Sequence, residues 1–102
     1  MPERHRETLP TQRESIIMAC LAREERFGKD IQAEFFRRTK MNIPSGSLYV
    51  TLARMEEKGL VKSRVGNSNP EAGGNKRRYF KLTPAGERSL MSLRIWLAQL
   101  TK

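Results

Sequence analysis

The chain of 102 residues holds one cysteine, one histidine and one tryptophan. A single cysteine excludes an internal disulfide framework and suits a reducing compartment, so cytoplasmic residence is the expectation. His5 has no cysteine or second histidine at metal-ligand spacing and reads as a solvent-exposed tail residue. No metal and no cofactor are expected. The longest apolar run, Ile16 to Ala22, is far too short to cross a bilayer. Residues 1–14 are polar and charged, unlike a secretory leader. No paired carboxylates and no Ser–His or Cys–His arrangement stand out, so an enzyme is not expected.

Acidic residues are the other shortage: 11 against 20 lysines and arginines, a net charge of +9. The excess is uneven. Residues 61–82 carry six basic groups against one acid, net +5, more than half of the total. A basic surface concentrated in one segment points to a polyanionic partner, whereas an even spread would only aid solubility. The competing reading is a solvated surface with no partner. An apolar fraction of 37% permits a modest core, and a chain this small often gains stability by oligomerising.

The stretch from Ser45 to Leu82 organises the rest. Leu48, Leu52 and Met55 recur at helical spacing, with Ser47, Thr51, Arg54 and Lys58 expected on the opposite side. Pro44 and Ser45, the latter as N-cap, mark the start of this helix, and Gly59 fits a left-handed C-terminal residue. Leu60 to Val65 and Arg78 to Leu82 alternate like half-buried strands around a polar loop, Gly66 to Asn75. Upstream, the spacing predicts a helix from Thr11 to about Arg26, with Cys20 as a small core residue. Phe27-Gly28 breaks the pattern, and a second helix runs from Lys29 to Thr39. Arg37, Arg38 and Lys40 at its end suit either the helix dipole or a phosphate. Met41 to Pro44 forms the turn between the two helices.

Thr83 as N-cap, Pro84 at the first helical position and Glu87 in the first turn open the last helix. Leu90, Leu93, Leu97 and Leu100 form a heptad-like stripe, with Met91, Ile95 and Trp96 on neighbouring faces. So apolar a terminal helix points to a homodimer. Trp96, paired with its twin across a dimer axis, offers a flat surface to a small aromatic effector; an ordinary interface anchor is the alternative. The fold class expected is α+β, mainly α: a winged helix-turn-helix with a two-stranded wing and a C-terminal dimerisation helix. Residues 1–10 are a loose arm, 11–82 the winged-helix domain and 83–102 the dimerisation helix.

Three stretches resemble the PadR family of winged-helix transcriptional regulators. They are Phe27-Gly28-Lys29-Asp30-Ile31, Ser45-Gly46-Ser47-Leu48-Tyr49 on to Gly59-Leu60-Val61, and Arg77-Arg78-Tyr79-Phe80-Lys81-Leu82-Thr83-Pro84-Ala85-Gly86. The resemblance covers about residues 14 to 95 and is most specific at Gly-Ser-Leu-Tyr and at Arg-Arg-Tyr-Phe through Pro-Ala-Gly. It implies a cytoplasmic homodimer bound to double-stranded DNA, usually a repressor, paired through the terminal helix. By resemblance, Ser45, Ser47 and Tyr49 touch DNA and the wing residues Lys76, Arg77 and Arg78 touch its backbone. Lys29 departs from the family, which often has tyrosine there.

The exposed side of the Ser45 helix adds Val50 and Arg54 as candidate base readers. The expected function is a sequence-specific transcriptional regulator acting as a homodimer on an inverted-repeat operator. Dimer contacts would come from Leu90, Leu93, Ile95, Trp96, Leu97 and Leu100. The alternative is a winged-helix module for protein interaction or a replication complex, with only non-specific DNA affinity.

Overall fold

Thr11 opens the first helix, α1 (Gln12–Cys20), with a reciprocal cap: its hydroxyl accepts from the Glu14 N–H while the Glu14 carboxylate accepts from the Thr11 N–H. A computed structural model describes residues 9–68 and 76–101. Most of the arm, with His5, and the wing loop from Asn69 to Asn75 lie outside the described residues. The expected length of α1 is corrected: it ends at Cys20, not near Arg26, because Arg26 and Phe27 are drawn into a sheet as β1 (Arg26–Phe27). The Arg26 Nε then turns back and donates to the Cys20 carbonyl at 2.8 Å, satisfying a group the helix end leaves open.

The second helix, α2 (Gly28–Thr39), ends at Lys40, which takes a left-handed φ of +62° without being glycine. The Gln32 side-chain amide donates to the Ile43 carbonyl at 2.9 Å and ties the following turn to this helix. Arg37 and Arg38 face Glu34: the Arg37 Nε and Arg38 Nε lie 3.0 and 2.9 Å from its oxygens. Those two guanidiniums hold the Glu34 carboxyl down at about 2.

The third helix, α3 (Ser45–Glu57), has Pro44 as its N-cap, not Ser45; the Pro44 carbonyl accepts the first helical bond, from Leu48 N–H at 2.9 Å. Proline supplies a suitable φ of −61°, so the helix begins one residue early and the Ser45 hydroxyl makes no cap bond. Leu48, Leu52 and Met55 are fully buried as the spacing requires. Two residues expected opposite them are not there. Thr51 is 6% exposed, its hydroxyl donating to the Ser47 carbonyl at 2.8 Å, and Lys58 reaches across to the buried Glu14 at 2.9 Å.

Gly59 leaves α3 at φ +79°, the left-handed value its position requires. The chain enters β2 (Val61–Ser68), which pairs antiparallel with β3 (Lys76–Leu82), while β1 lies on the other side of β3. The wing therefore belongs to a three-stranded sheet, with Arg26 opposite Phe80 and Phe27 opposite Tyr79. A register irregularity interrupts the β2–β3 ladder between Val65 and Ser68.

The last helix, α4 (Pro84–Leu100), starts where Thr83 accepts from the Gly86 N–H at 3.0 Å. Gly86 packs so tightly on the Leu60 carbonyl that a Cβ there would fall 2.0 Å from its oxygen. Ile17, Met18, Ile31, Phe35, Val61, Phe80, Leu82 and Leu90 fill one core with the α3 stripe. The expectation for Leu90 is corrected here: at 6% exposure it fills the protomer's own core, so any outer stripe starts at Leu93.

Candidate nucleic-acid interface

Burying Leu48, Leu52 and Met55 turns a defined part of α3 to solvent. A helix advances about 100° per residue, so Gly46, Val50 and Ala53 lie near the centre of the exposed face. Tyr49 lies on the flank towards the sheet, where its ring packs at 6.1 Å against Phe80. Arg54 is about 140° from Tyr49 and lines a different cleft, with Arg13, Met41 and Asn42 among its neighbours. Ser45 is exposed at the helix start and Ser47 half-buried. The expected reading set is therefore spread across both flanks. Gly46 and Ala53 complete its centre; they carry no polar group that would mark them in sequence, but helical period alone would have found them.

Tyr49 is fixed by a glycine. A Cβ on Gly28 would lie 2.1 Å from the Tyr49 hydroxyl, so only glycine leaves room for the ring at that place. Around this contact, Phe27, Gly28, Lys29, Tyr49, Lys76, Arg77 and Arg78 line an open groove of about 510 Å³. Four of those seven residues are cationic and none is acidic. The sequence reading anticipated Tyr49 and the three wing cations here but missed Phe27, Gly28 and Lys29. Lys29 carried a signal, as a lysine where the resembling family often has tyrosine.

Strand alternation separates the three wing cations. Arg77 lies over the Phe27 ring, 4.2 Å from its centroid, and Phe27 meets Tyr79 edge-on at 5.7 Å. Arg64 covers the Tyr79 ring at 4.7 Å and pairs with Glu25. That pairing holds the Glu25 carboxyl below its ordinary 4.5 and raises Arg64. Arg78, on the other face, donates to the Ser63 hydroxyl at 3.1 Å, which donates to Glu56 at 3.0 Å. Lys76 is exposed. Arg77 and Arg78 are thus held by stacking or hydrogen bonding before any partner arrives, which reduces the entropy lost when they bind one.

On α4, Met91, Ile95, Trp96, Leu97 and Leu100 are all more than half exposed. Leu93 and Leu97 form an apolar groove of about 270 Å³ with Ile16 and Ala19 of α1. A helix this apolar on several sides leaves a surface that a monomer does not cover.

Comparison with known proteins decides the family. The description "Transcriptional regulator PadR-like family" matches residues 17–92. The chain belongs to this family. Among solved structures, a PadR family transcription regulator from hypervirulent Clostridium difficile R20291 is similar at 29% identity and a TM-score of 0.70, over 85% of this chain and 88% of that one. A PadR-like transcription factor from Bacteroides fragilis is 28% identical with a TM-score of 0.75, over 85% and 81%. PadR of Bacillus subtilis, solved in complex with operator DNA, shares the fold at a TM-score of 0.67 and 19% identity, over 79% of this chain and 45% of that one. The mainly helical winged helix with its small sheet is the architecture of these PadR-like regulators. Among the described residues, no helix is long and apolar enough to cross a membrane.

Proposed function

We propose that this PadR-like chain is a sequence-specific DNA-binding repressor that acts as a homodimer on an inverted-repeat operator. The observation that carries this reading is the groove between Tyr49 and the start of β3, cationic at four of its lining side chains and open beside the exposed face of α3. In this reading α3 enters a major groove, Val50 at the centre of the exposed face meets base edges, and Tyr49 and Arg54 bracket it. Lys29, Lys76, Arg77 and Arg78 hold phosphates, which fix orientation without identifying bases. Repression follows if the bound dimer occludes a promoter, and the family resemblance favours that sign.

The exposed α4 surface supports dimerisation through Leu93, Ile95, Trp96, Leu97 and Leu100. Burying such side chains contributes about 1.5–3 kcal/mol each, enough in sum to offset the association penalty. Paired α3 helices about one DNA turn apart give the inverted repeat. Trp96 serves as an interface anchor or as the platform for a small flat aromatic effector; saturable quenching of its fluorescence by an aromatic panel would select the second.

Selecting bound sequences from a random duplex pool tests the proposal. An imperfect inverted repeat is the expected product, and binding with no preferred site would favour an interaction module instead. On the selected site, neutralising Arg77 and Arg78 should weaken specific and random DNA alike and flatten the salt dependence by about 1 to 2 counterions per half-site. Replacing Val50 or Arg54 should erode base preference by about 1–3 kcal/mol per lost contact.

A further inference from the structure

Alternation sends Val61, Phe80 and Leu82 inward to the helices and leaves Lys62, Arg64, Tyr79 and Lys81 on the outer face of the sheet. There Lys62 and Lys81 are register partners, directly opposite each other, and both are exposed. Like charges so placed repel and destabilise the strand pair. Protection of the open β2 edge accounts for a cation at Lys62. It does not account for one at Lys81, which lies on the central strand. Among the described residues, neither lysine has an ion pair or a side-chain hydrogen bond, and the acid beside them, Glu25, is taken by Arg64. Glu25, Lys62, Ser63, Arg64 and Lys81 line a cleft of about 510 Å³. Three cations against one carboxylate, in a concave site that folding does not require, make a place for an anion.

The chemistry of that anion can be narrowed. Arg64 covers the Tyr79 ring, so that ring is not free to stack an unpaired base and the site lacks the aromatic platform a single strand uses. What remains is two ammonium groups and the edge of a guanidinium, which suit the phosphates of a duplex backbone. The outer cleft is also continuous with the candidate interface, since the same face of β3 runs from Lys81 past Tyr79 to Arg77, which lines the groove beside Tyr49. Yet α3 packs on the inner side of the sheet, its Tyr49 against Phe80. A straight duplex held by α3 can reach Arg77 at the wing end of that face but cannot run back along it to Lys62 and Lys81, which pair at the other end of the ladder.

Resting on the DNA-binding reading above, we infer that the outer face of the sheet binds the backbone of a second duplex segment while α3 and the groove hold the first, so that the protein bridges two stretches of DNA. The test loads wild-type protein to saturation on an immobilised duplex carrying the selected site. After washing, a labelled duplex of unrelated sequence is offered over a range of salt. Wild type should capture the second duplex, with capture falling steeply as salt rises. The Lys62→Gln, Lys81→Gln double variant should keep its affinity for the selected site and capture the second duplex far more weakly, the salt dependence of the residual capture flattened by about 2 counterions per protomer. It should also melt at or above the wild-type temperature, because the cross-strand repulsion is gone, which separates lost binding from lost folding. Glu25→Gln, which frees Arg64, should strengthen capture. The inference is overturned if loaded wild type captures no second duplex, if the double variant captures as much, or if polyglutamate is taken up and duplex is not. Failure to retain protein on the first duplex would defeat the DNA-binding reading itself and this inference with it.

Discussion

Alanine in place of Gly28 should separate folding from DNA binding. The new Cβ would lie 2.1 Å from the Tyr49 hydroxyl, 2.9 Å from Cζ and 3.4 Å from Cε2. The hydroxyl must therefore retreat by at least about 1.3 Å, from 2.1 to 3.4 Å, to reach ordinary contact. It can do so, because Tyr49 is 42% exposed and the clash is with the far end of a side chain. Loosening the packing of Tyr49 on Phe80 costs about 0.5–1.5 kcal/mol. The gain from restricting the unfolded chain, about 0.4–1 kcal/mol, offsets most of that. Stability should stay within about 1 kcal/mol of wild type, a melting shift of no more than about 4–8 °C. The displaced ring then projects into the space beside α3 that a duplex would occupy. Loss of one good contact, about 1–3 kcal/mol, corresponds to roughly five- to 150-fold in affinity. The control is Gly86→Ala, where the clash at 2.0 Å is with the Leu60 backbone oxygen, which has nowhere to go. There the loss should be about 1–3 kcal/mol of stability. Thermal melts and fluorescence anisotropy on the selected duplex read both quantities. Equal destabilisation by the two substitutions, or a Gly28→Ala protein with unchanged affinity, would refute the reasoning.

Removing either end of the Glu14–Lys58 pair should not cost the same. Lys58→Met strands a carboxylate that is 2% exposed and should lose about 3–5 kcal/mol, whereas Glu14→Gln keeps an acceptor for Thr11 and should lose less; equal losses in denaturant melts would contradict this. Glu34, held at about 2 by Arg37 and Arg38, contributes stability that is complete above the ordinary carboxyl value of 4.5 and is lost as pH falls through about 2. The stability difference between wild type and Glu34→Gln should therefore shrink across that window and with added salt; a difference that grew on acidification would reverse the sign. Burial pushes the Cys20 thiol up to about 11, so alkylation near pH 8 should follow the opening rate of the fold and not the rate of a free thiol; prompt labelling of native protein would show the site to be open.

Periodicity made the helices and their buried faces legible, because Leu48, Leu52 and Met55 or Thr83, Pro84 and Glu87 act through local rules. What escaped was set by contacts distant in sequence. Nothing near Arg26 and Phe27 announces a strand, since two residues become one only by pairing with Phe80 and Tyr79. Glu14 looks like a surface acid on a polar first turn until Lys58, 44 positions away, reaches it. Leu90 fits a dimer stripe equally well on heptad spacing; the approach of α4 to α1 and the sheet decides that it faces inward.

The wing cations show the same limit at the candidate site. Lys76, Arg77 and Arg78 read as one basic run, but a strand turns successive residues to opposite faces. Arg77 joins Phe27, Tyr79 and Arg64 on the outer side, and Arg78 joins Ser63 and Glu56 on the inner. Each arginine is therefore coupled to different neighbours. Truncating Phe27 would free Arg77 without touching Arg78, and truncating Ser63 would do the reverse. Tyr49 touches both systems, through Gly28 beside Phe27 and through Phe80 beside Ser63's strand. The helix proposed to read bases and the wing proposed to hold phosphates are thus joined through one tyrosine, and changes at Tyr49 should not add to changes at either arginine.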